Sequence, residues 1–165
     1  MSPGAHERWS GRVRSTRLVD MTTRWTLTID CTSPAVVAAF WKEALGYVDA
    51  LPPAGFASWE AWFVASGVPE DEWDDGAALV DPLGVAPPLS LPRVREEKSV
   101  KNRLHLDLQV SGGRAQPAGS RREAIRATVA RLVRAGGAVV AEHHVDDALD
   151  HVVMSDPEGN EFCVV

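Results

Sequence analysis

The strongest fold signal in this chain lies in the stretch Asp156-Pro157-Glu158-Gly159-Asn160-Glu161-Phe162-Cys163-Val164-Val165. Its Asp-Pro-x-Gly portion is typical of a tight turn, because Asp caps the turn, Pro presets φ and Gly accepts a positive φ. Two strand-like runs, residues 151–155 and 161–165, flank this turn. The pattern therefore predicts a β-hairpin at the end of the sequence.

The same turn pattern occurs earlier, as Asp81-Pro82-Leu83-Gly84. It lies between the runs 77–80 and 88–91, which are also strand-like. Two copies of one turn in one chain indicate that a single supersecondary unit is used twice. We therefore predict a two-fold internal repeat.

The first half of the chain reads strand, helix, strand, strand, strand. Residues 25–31 alternate between apolar and polar side chains, which predicts a half-buried strand. Ser33 is a good N-cap and Gly46 a good C-cap, so a helix is expected from about Ala35 to Leu45. Residues 47–51 read as a short strand, and the repeated turn with its flanking runs supplies the other two.

The second half repeats this order. Residues 104–110 alternate as residues 25–31 do, and a Gly- and Ser-rich connection follows up to Ser120. A helical stripe then ends at Gly136-Gly137, residues 138–141 form a strand, and the final hairpin completes the unit. The stripe consists of Ile125, Val129, Leu132 and Val133. The sequence thus predicts an α+β protein of two βαβββ modules, with helices on one face of a mostly antiparallel sheet.

Composition narrows the function and the location. The net charge is −6 and the Arg residues are scattered, whereas nucleic-acid binders usually carry a basic stripe, so we predict no nucleic-acid partner. No run has the roughly 20 apolar residues of a membrane helix, so no membrane partner is expected. Cys31 and Cys163 lie in apolar runs without CxxC spacing, which favours two buried, reduced thiols and a cytoplasmic location.

Two segments lie outside the repeat. Residues 1–21 are rich in Arg but have no apolar signal core and no periodicity, which predicts a disordered tail, with Met21 as an alternative start. Residues 93–101 are charged and aperiodic and serve as the linker between module one, about 22–95, and module two, about 102–165.

A tryptophan-rich segment at residues 55–76 has no counterpart in the second half. Trp59, Trp62 and Phe63 have helical spacing, and Trp73 follows an acidic short turn. Aromatic residues at this spacing are more often plain core, yet Trp59 and Trp62 are also candidates for an aromatic wall over a ligand. Both interpretations stay open at this point.

These features together resemble the vicinal oxygen chelate superfamily, in its glyoxalase-like and bleomycin-resistance-like branch. The resemblance rests on the paired βαβββ modules, the repeated Asp-Pro-x-Gly turns, the run 101–108 and the final stretch, and it covers about residues 22–165. It implies an eight-stranded sheet curled into a cup. The superfamily includes glyoxalases, dioxygenases, epimerases, fosfomycin-modifying enzymes and antibiotic-sequestering proteins, so the resemblance does not select a reaction.

The resemblance also implies where a metal would bind, since the metalloenzymes place one ligand on the first and one on the last strand of each module. Module two keeps both positions, as His105 and Glu161. Module one offers Thr26, or Thr28 in another register, and its last strand has no carboxylate or imidazole. Because a catalytic divalent metal normally takes three or more protein ligands, this metal set is incomplete.

Two functions follow as hypotheses. In the first, the cup binds a small, partly apolar organic molecule. Its expected lining residues are Thr26, Thr28, His105, Asp107, Glu161 and one or more of the tryptophans Trp59 and Trp62. In the second, the protein is a lyase, isomerase or dioxygenase in which a divalent metal at His105 and Glu161 polarises vicinal oxygens, or in which Glu161 acts as a general base.

Two further points stay open in the sequence. His105 and Glu161 also fit a purely structural hydrogen-bonded pair. His143-His144, followed by Asp146-Asp147, fits an exposed loop better than a metal cluster, because the His residues are adjacent rather than alternating. The resemblance is compatible with pairing of modules within one chain or between two, so a homodimer is among the expected arrangements.

Overall fold

The computed structural model describes residues 23–165, so the predicted N-terminal tail lies outside the described residues. The strands are β1 (Leu27–Thr28), β2 (Val48–Asp49), β3 (Gly76–Val80), β4 (Leu89–Pro92), β5 (Asp107–Leu108), β6 (Ala138–Val145), β7 (Ala148–Ser155) and β8 (Glu161–Val164). The helices are α1 (Pro34–Leu45), α2 (Trp59–Ser66) and α3 (Ala118–Arg134), with a 3₁₀ turn at Glu70–Glu72.

The strands form two four-stranded sheets of the same topology. Their orders are β1-β4-β3-β2 and β5-β8-β7-β6. In each sheet the first strand pairs with the last in parallel, and the other two pairings are antiparallel. The predicted α+β fold with two βαβββ modules is confirmed, and its eight strands are shared between two sheets.

The two modules share one core, and α1 of module one supplies its centre. Phe40 and Trp41 are fully buried against Phe162 of β8, with ring centroids 5.7 and 5.3 Å from it. The Trp41 indole Nε1 donates a hydrogen bond to Asp156 Oδ2 at 3.2 Å. Glu158 accepts from the backbone N–H groups at the start of α1, at Thr32 and Ser33, so the terminal turn caps the helix of the other module.

Both Asp-Pro-x-Gly turns have the geometry that the sequence predicts. Gly84 and Gly159 have φ values of +66° and +85°, which confirms the positive φ expected of them. Asp81 accepts hydrogen bonds from three following backbone N–H groups, and Asp156 accepts from the N–H groups of Glu158 and Asn160. Each carboxylate therefore holds its own turn closed.

The strand lengths differ from the predicted ones in both directions. The edge strands β1 and β5 each contain only two residues, whereas the edge strand β6 and its neighbour β7 each contain eight. β6 continues to Val145, so the prediction that His143 and His144 lie in a loop is wrong. Their backbone pairs with β7 while both side chains are exposed, which confirms the predicted exposure.

The helices and cysteines agree with the sequence apart from local details. α3 begins at Ala118, inside the stretch predicted to be a flexible connection, and Val133 is 46% exposed, so it lies outside the buried stripe of Ile125 and Leu132. The predicted burial of Cys31 and Cys163 is confirmed, and both thiols are free. Over residues 23–165, every helix is too short or too polar to cross a lipid bilayer.

Candidate binding site between the two modules

A cleft of about 650 Å³ lies between the edge strands β1 and β5. Its apolar wall consists of Trp25, Leu27, Ile29, Trp41, Leu104 and Leu106. Its polar residues include Asn102, His105 and Glu161 from module two, Asp30 from module one, and Glu96 and Lys98 from the linker. Both modules and the linker therefore contribute to one concave surface of the size that small-molecule sites usually have.

The parallel pairing of β5 and β8 brings His105 and Glu161 together. Asp107 pairs with Cys163 in this ladder, so the residues two positions earlier on each chain lie side by side on the same face. His105 Nε2 is 3.5 Å from Glu161 Oε2. The predicted proximity of the two side chains is confirmed.

Lys101 contacts the same carboxylate. Its Nζ donates to Glu161 Oε2, and this hydrogen bond, with the positive charges of Lys101 and its neighbours, lowers the pKa of Glu161 below its ordinary value. Glu161 is therefore ionised near neutral pH. A carboxylate in that state accepts hydrogen bonds well but is a weak general base.

Cys163 lies beside the pair but is chemically quiet. Its Sγ is 3.7 Å from His105 Nδ1, and burial together with the nearby Asp107 carboxylate raises the pKa of the thiol to about 11. A thiol with that pKa stays protonated at neutral pH. Since the thiolate is the nucleophile and the metal ligand, Cys163 acts here as a buried apolar residue.

The register of β1 with β4 shows which residues of module one lie at the positions of His105 and Glu161. Thr28 pairs with Ser90 where Asp107 pairs with Cys163. Two residues earlier on each chain, Thr26 and Pro88 therefore occupy the positions of His105 and Glu161. Neither a threonine hydroxyl nor a proline replaces an imidazole or a carboxylate as a metal ligand.

The donors present do not fit a resident divalent metal. His105 and Glu161 supply two ligands, and the Lys101 ammonium binds the carboxylate oxygen that would face the ion. Nowhere in residues 23–165 do three His, Cys, Asp or Glu side chains gather in a geometry that would hold a metal. Two donors of which one is bound to a cation make a weak chelating site.

Asn102 gives the cleft an unsatisfied acceptor. Its side-chain Oδ1 is buried in the wall and finds no hydrogen-bond partner among the described residues. A buried carbonyl oxygen without a partner costs free energy of the order of 1–3 kcal/mol, so such atoms normally meet a ligand or water. Asn102 precedes β5 at the end of the linker, where it lines the same cleft as His105.

The structure distributes the other predicted site residues over three cavities. Thr28 lines the cleft, whereas Thr26 is exposed beside it. Asp107 lines a neighbouring cavity of about 420 Å³ in module two. Trp59 lines a third cavity, of about 490 Å³, in module one, and Trp62 packs behind it with ring centroids 5.6 Å apart. The expected single cup lined by all of these residues is therefore divided.

Several cleft residues are absent from the sequence prediction. Trp25 lies just before β1, Asn102 and Leu104 lie in the segment that leads into β5, and Glu96 and Lys98 lie in the linker. The charged, aperiodic linker carries no periodic signal that would have assigned its side chains to a site. Only the position of Asn102 directly before an alternating strand offered a hint.

The family model described as "Glyoxalase-like domain" matches residues 26–165 of this chain. No curated protein matches the sequence significantly. The match therefore covers both modules and all of the cleft except Trp25.

Solved structures resemble the fold at low sequence identity. A glyoxalase/bleomycin resistance protein/dioxygenase family enzyme from Burkholderia phytofirmans is 14% identical with a TM-score of 0.52, over 84% of this chain and 94% of that one. A glyoxalase-related enzyme from Fulvimarina pelagi is 13% identical with a TM-score of 0.53, over 87% and 86%. The fosfomycin resistance protein FosX from Listeria monocytogenes, as a mutant complexed with Mn(II) and dihydroxypropylphosphonic acid, is 10% identical with a TM-score of 0.53, over 84% and 85%.

Proposed function

This chain belongs to the family of the glyoxalase-like domain, and from that premise we propose that its cleft reversibly binds a small, partly apolar organic molecule carrying a hydroxyl or amino group. The apolar wall takes the hydrocarbon part of the ligand. Asn102 and Glu161 accept hydrogen bonds from its hydroxyl or amine. The protein on this proposal is a binding protein, and a metal-dependent reaction is the alternative.

The observation that carries this proposal is the unpartnered Asn102 Oδ1 in the wall of the cleft. Glu161, which lines the same cleft, has a side chain that is 16% exposed and a carboxylate that Lys101 keeps ionised. Both groups accept hydrogen bonds, and Asp30 and Glu96 add further acceptors along the same cleft. A ligand that donates hydrogen bonds complements this surface better than one that only accepts them.

The apolar wall supports the same ligand class. Indole and aliphatic side chains from both modules face the cleft, and Trp25 is 61% exposed there. Covering such a surface removes apolar area from water, which favours binding by about 25 cal/mol for each Å² buried. The polar groups then decide orientation and selectivity.

The test compares 2-phenylethanol with its methyl ether, which keeps the ring but lacks the donor. Titrations followed by ¹H–¹⁵N NMR should perturb the amides of residues 104–106 and not those of residues 59–66. We expect the alcohol to bind at least about fivefold more tightly than the ether, the equivalent of one hydrogen bond.

Two variants and a matched control locate the effect. Asn102→Ala and Glu161→Gln should each reduce the advantage of the alcohol over the ether. Gln109→Ala removes a similar amide from the same strand run outside the cleft and should leave that advantage unchanged. Equal binding of alcohol and ether to the wild type, or a loss in Gln109→Ala alone, would contradict the proposal.

The metal-dependent alternative has its own readout. Elemental analysis of protein purified without chelator, followed by titration with Ni²⁺, Zn²⁺, Mn²⁺ and Fe²⁺, measures whether a stoichiometric ion is held. We expect weak, substoichiometric binding of the metal ion because the Lys101 ammonium is ion-paired with the Glu161 carboxylate. Tight binding that is lost in both His105→Ala and Glu161→Gln would favour a lyase, isomerase or dioxygenase instead.

A further inference from the structure

We propose that the tryptophan-lined cavity of module one is a second binding site, specific for an organic cation such as a quaternary ammonium or a protonated amine. This cavity, called the aromatic cavity below, has a volume of about 490 Å³ and lies between α2, the 3₁₀ turn and β3. It shares no lining residue with the cleft between the modules.

Three aromatic rings form one side of the aromatic cavity. Phe63 stacks on Trp73 with centroids 5.6 Å apart and an angle of 21° between the rings, and Trp59 lies 5.9 Å from Phe63. Trp59 Nε1 donates to Ala50 O at 2.8 Å, and Trp73 Nε1 donates to Val68 O at 3.1 Å. Because these bonds to the backbone satisfy both indole N–H groups, the indoles can interact with a ligand only through their ring carbons and π electrons.

Four carboxylates surround the same space, and no Lys or Arg is among its described lining residues. They are Asp49, Glu60, Glu72 and Asp74. Lys42, which does not line the cavity, forms an ion pair with Asp49 at 2.9 Å. The other three carboxylates form no ion pair within residues 23–165, so the cavity has a negative potential.

A plain metal ion is not the best occupant of the aromatic cavity, because within residues 23–165 its carboxylates do not gather in a geometry that would hold one. The other lining residues, Ala50, Gly76, Ala77 and Ala78, are small and leave room for an organic group. Aromatic faces attract cations through their quadrupole, most strongly for Trp, and they do so best with weakly hydrated organic cations. Ring faces combined with unpaired carboxylates therefore select an alkyl- or arylammonium group over a hydrated ion.

A matched pair of probes isolates the charge. Choline and 3,3-dimethylbutan-1-ol have the same shape, and only choline carries the positive nitrogen; benzyltrimethylammonium serves as a larger cation. Binding is followed by NMR on the indole N–H signals of Trp59 and Trp73. We expect both cations to shift these signals, and the neutral alcohol to bind at least tenfold more weakly or not at all up to about 10 mM.

Variants separate this site from the cleft and from general surface charge. Trp73→Leu should weaken benzyltrimethylammonium binding at least tenfold, and Trp73→Phe should retain most of it. Glu72→Gln with Asp74→Asn leaves every ring in place, and should weaken binding several-fold even if Trp73→Leu does not fold. Trp25→Leu, in the cleft, should change nothing at these signals.

Other outcomes would overturn the proposal. Equal binding of choline and its neutral analogue would mean a purely apolar pocket. Absence of any shift with benzyltrimethylammonium at about 10 mM would mean that the aromatic cluster only packs α2 against the sheet. A loss of cation binding in Trp25→Leu, with none in the Trp73 and carboxylate variants, would place the cation in the cleft.

Discussion

The two modules share one topology but differ in what they place on it. Module two has His105 and Glu161 on its first and last strands, and module one has Thr26 and Pro88 at the equivalent positions. Module one instead inserts α2 and the 3₁₀ turn between β2 and β3, where module two has a direct hairpin. The two modules therefore share the same strand topology but carry different side chains and a different insertion on it.

The two Asp-Pro-x-Gly turns differ in whether they contact the other module. Asp81 holds an exposed turn with bonds only to its own loop. Asp156 is 2% exposed and also accepts from Trp41 of the other module. The same local motif is thus a simple turn in module one and part of the junction between modules in module two.

The largest effect is expected from breaking that junction. Trp41→Ala removes a fully buried indole that contacts Phe162 and bonds to Asp156, so the free energy of unfolding should fall by about 3–5 kcal/mol. Trp62→Ala, a half-buried ring in module one, should cost clearly less. Urea unfolding followed by circular dichroism should give one transition for the wild type; two separate transitions would mean that the modules do not share a core.

The second-largest loss of stability is expected at Asp150, whose ion-pair partners all lie in module two. Its carboxylate binds Arg114 through two bonds of 2.9 Å, and it also contacts Arg121 and His151. Asp150→Asn leaves the buried Arg121 without its counter-ion, so we expect a loss of about 3 kcal/mol at neutral pH. Asp107→Asn removes a charge from the same cavity without breaking an ion pair and serves as the control.

Acid pH sharpens this prediction. Hydrogen bonds from Arg114 and His151 hold the pKa of Asp150 well below its ordinary value in the folded state. A lowered folded pKa contributes stability that is fully present above the unfolded pKa and is lost as the pH falls through the folded one. The stability difference between wild type and Asp150→Asn should therefore shrink as the pH drops below about 4. A difference that grows toward acid pH would contradict the assignment.

A smaller effect compares the two turn carboxylates directly. Asp156→Ala removes bonds to its own turn and to Trp41, whereas Asp81→Ala removes bonds to an exposed loop. We expect losses of about 2–3 and about 1 kcal/mol, respectively, in thermal melts. Equal losses would mean that the bond to Trp41 contributes little.

The smallest loss of stability is expected when the glycines of the two turns are replaced. Gly84→Ala and Gly159→Ala should each cost about 1 kcal/mol, because an added Cβ makes no close contact at either position and only the positive φ opposes it. Gly119→Ala, in α3 with an ordinary φ, should be neutral or slightly stabilising. Unchanged stability in both turn variants would remove the turn assignment that supports the repeat.

The sequence predicts local features better than it predicts cavities. The turns follow from Asp81, Gly84, Asp156 and Gly159, because turn chemistry acts over four residues. The closeness of His105 and Glu161 follows from strand alternation together with the family resemblance. The loop predicted for His143 and His144 is wrong because their backbone pairs with β7, and such pairing cannot be read from their polar composition.

Local sequence patterns do not predict that the expected cup is divided into separate cavities. Asp107 and His105 lie on the same strand face, yet His105 lines the cleft with Glu161 whereas Asp107 lines the cavity of module two with Cys163. Trp73 reaches the rings of α2 only through the fold of the insertion. Asn102 lies directly after the aperiodic linker, where no periodic pattern indicates which way its side chain points.

In this protein Asn102 and Glu161 of module two, with His105 beside Glu161, are expected to orient the ligand of the cleft, and Thr26 of module one is not. The most direct measurement replaces His105 by the threonine that module one has at this position, and compares His105→Thr with Thr26→Val by NMR titration with 2-phenylethanol, with thermal melts as the check on folding. We expect at least a fivefold loss of affinity in His105→Thr and none in Thr26→Val, with both melting close to the wild type. Equal losses in the two variants, or unchanged binding in His105→Thr, would contradict the account.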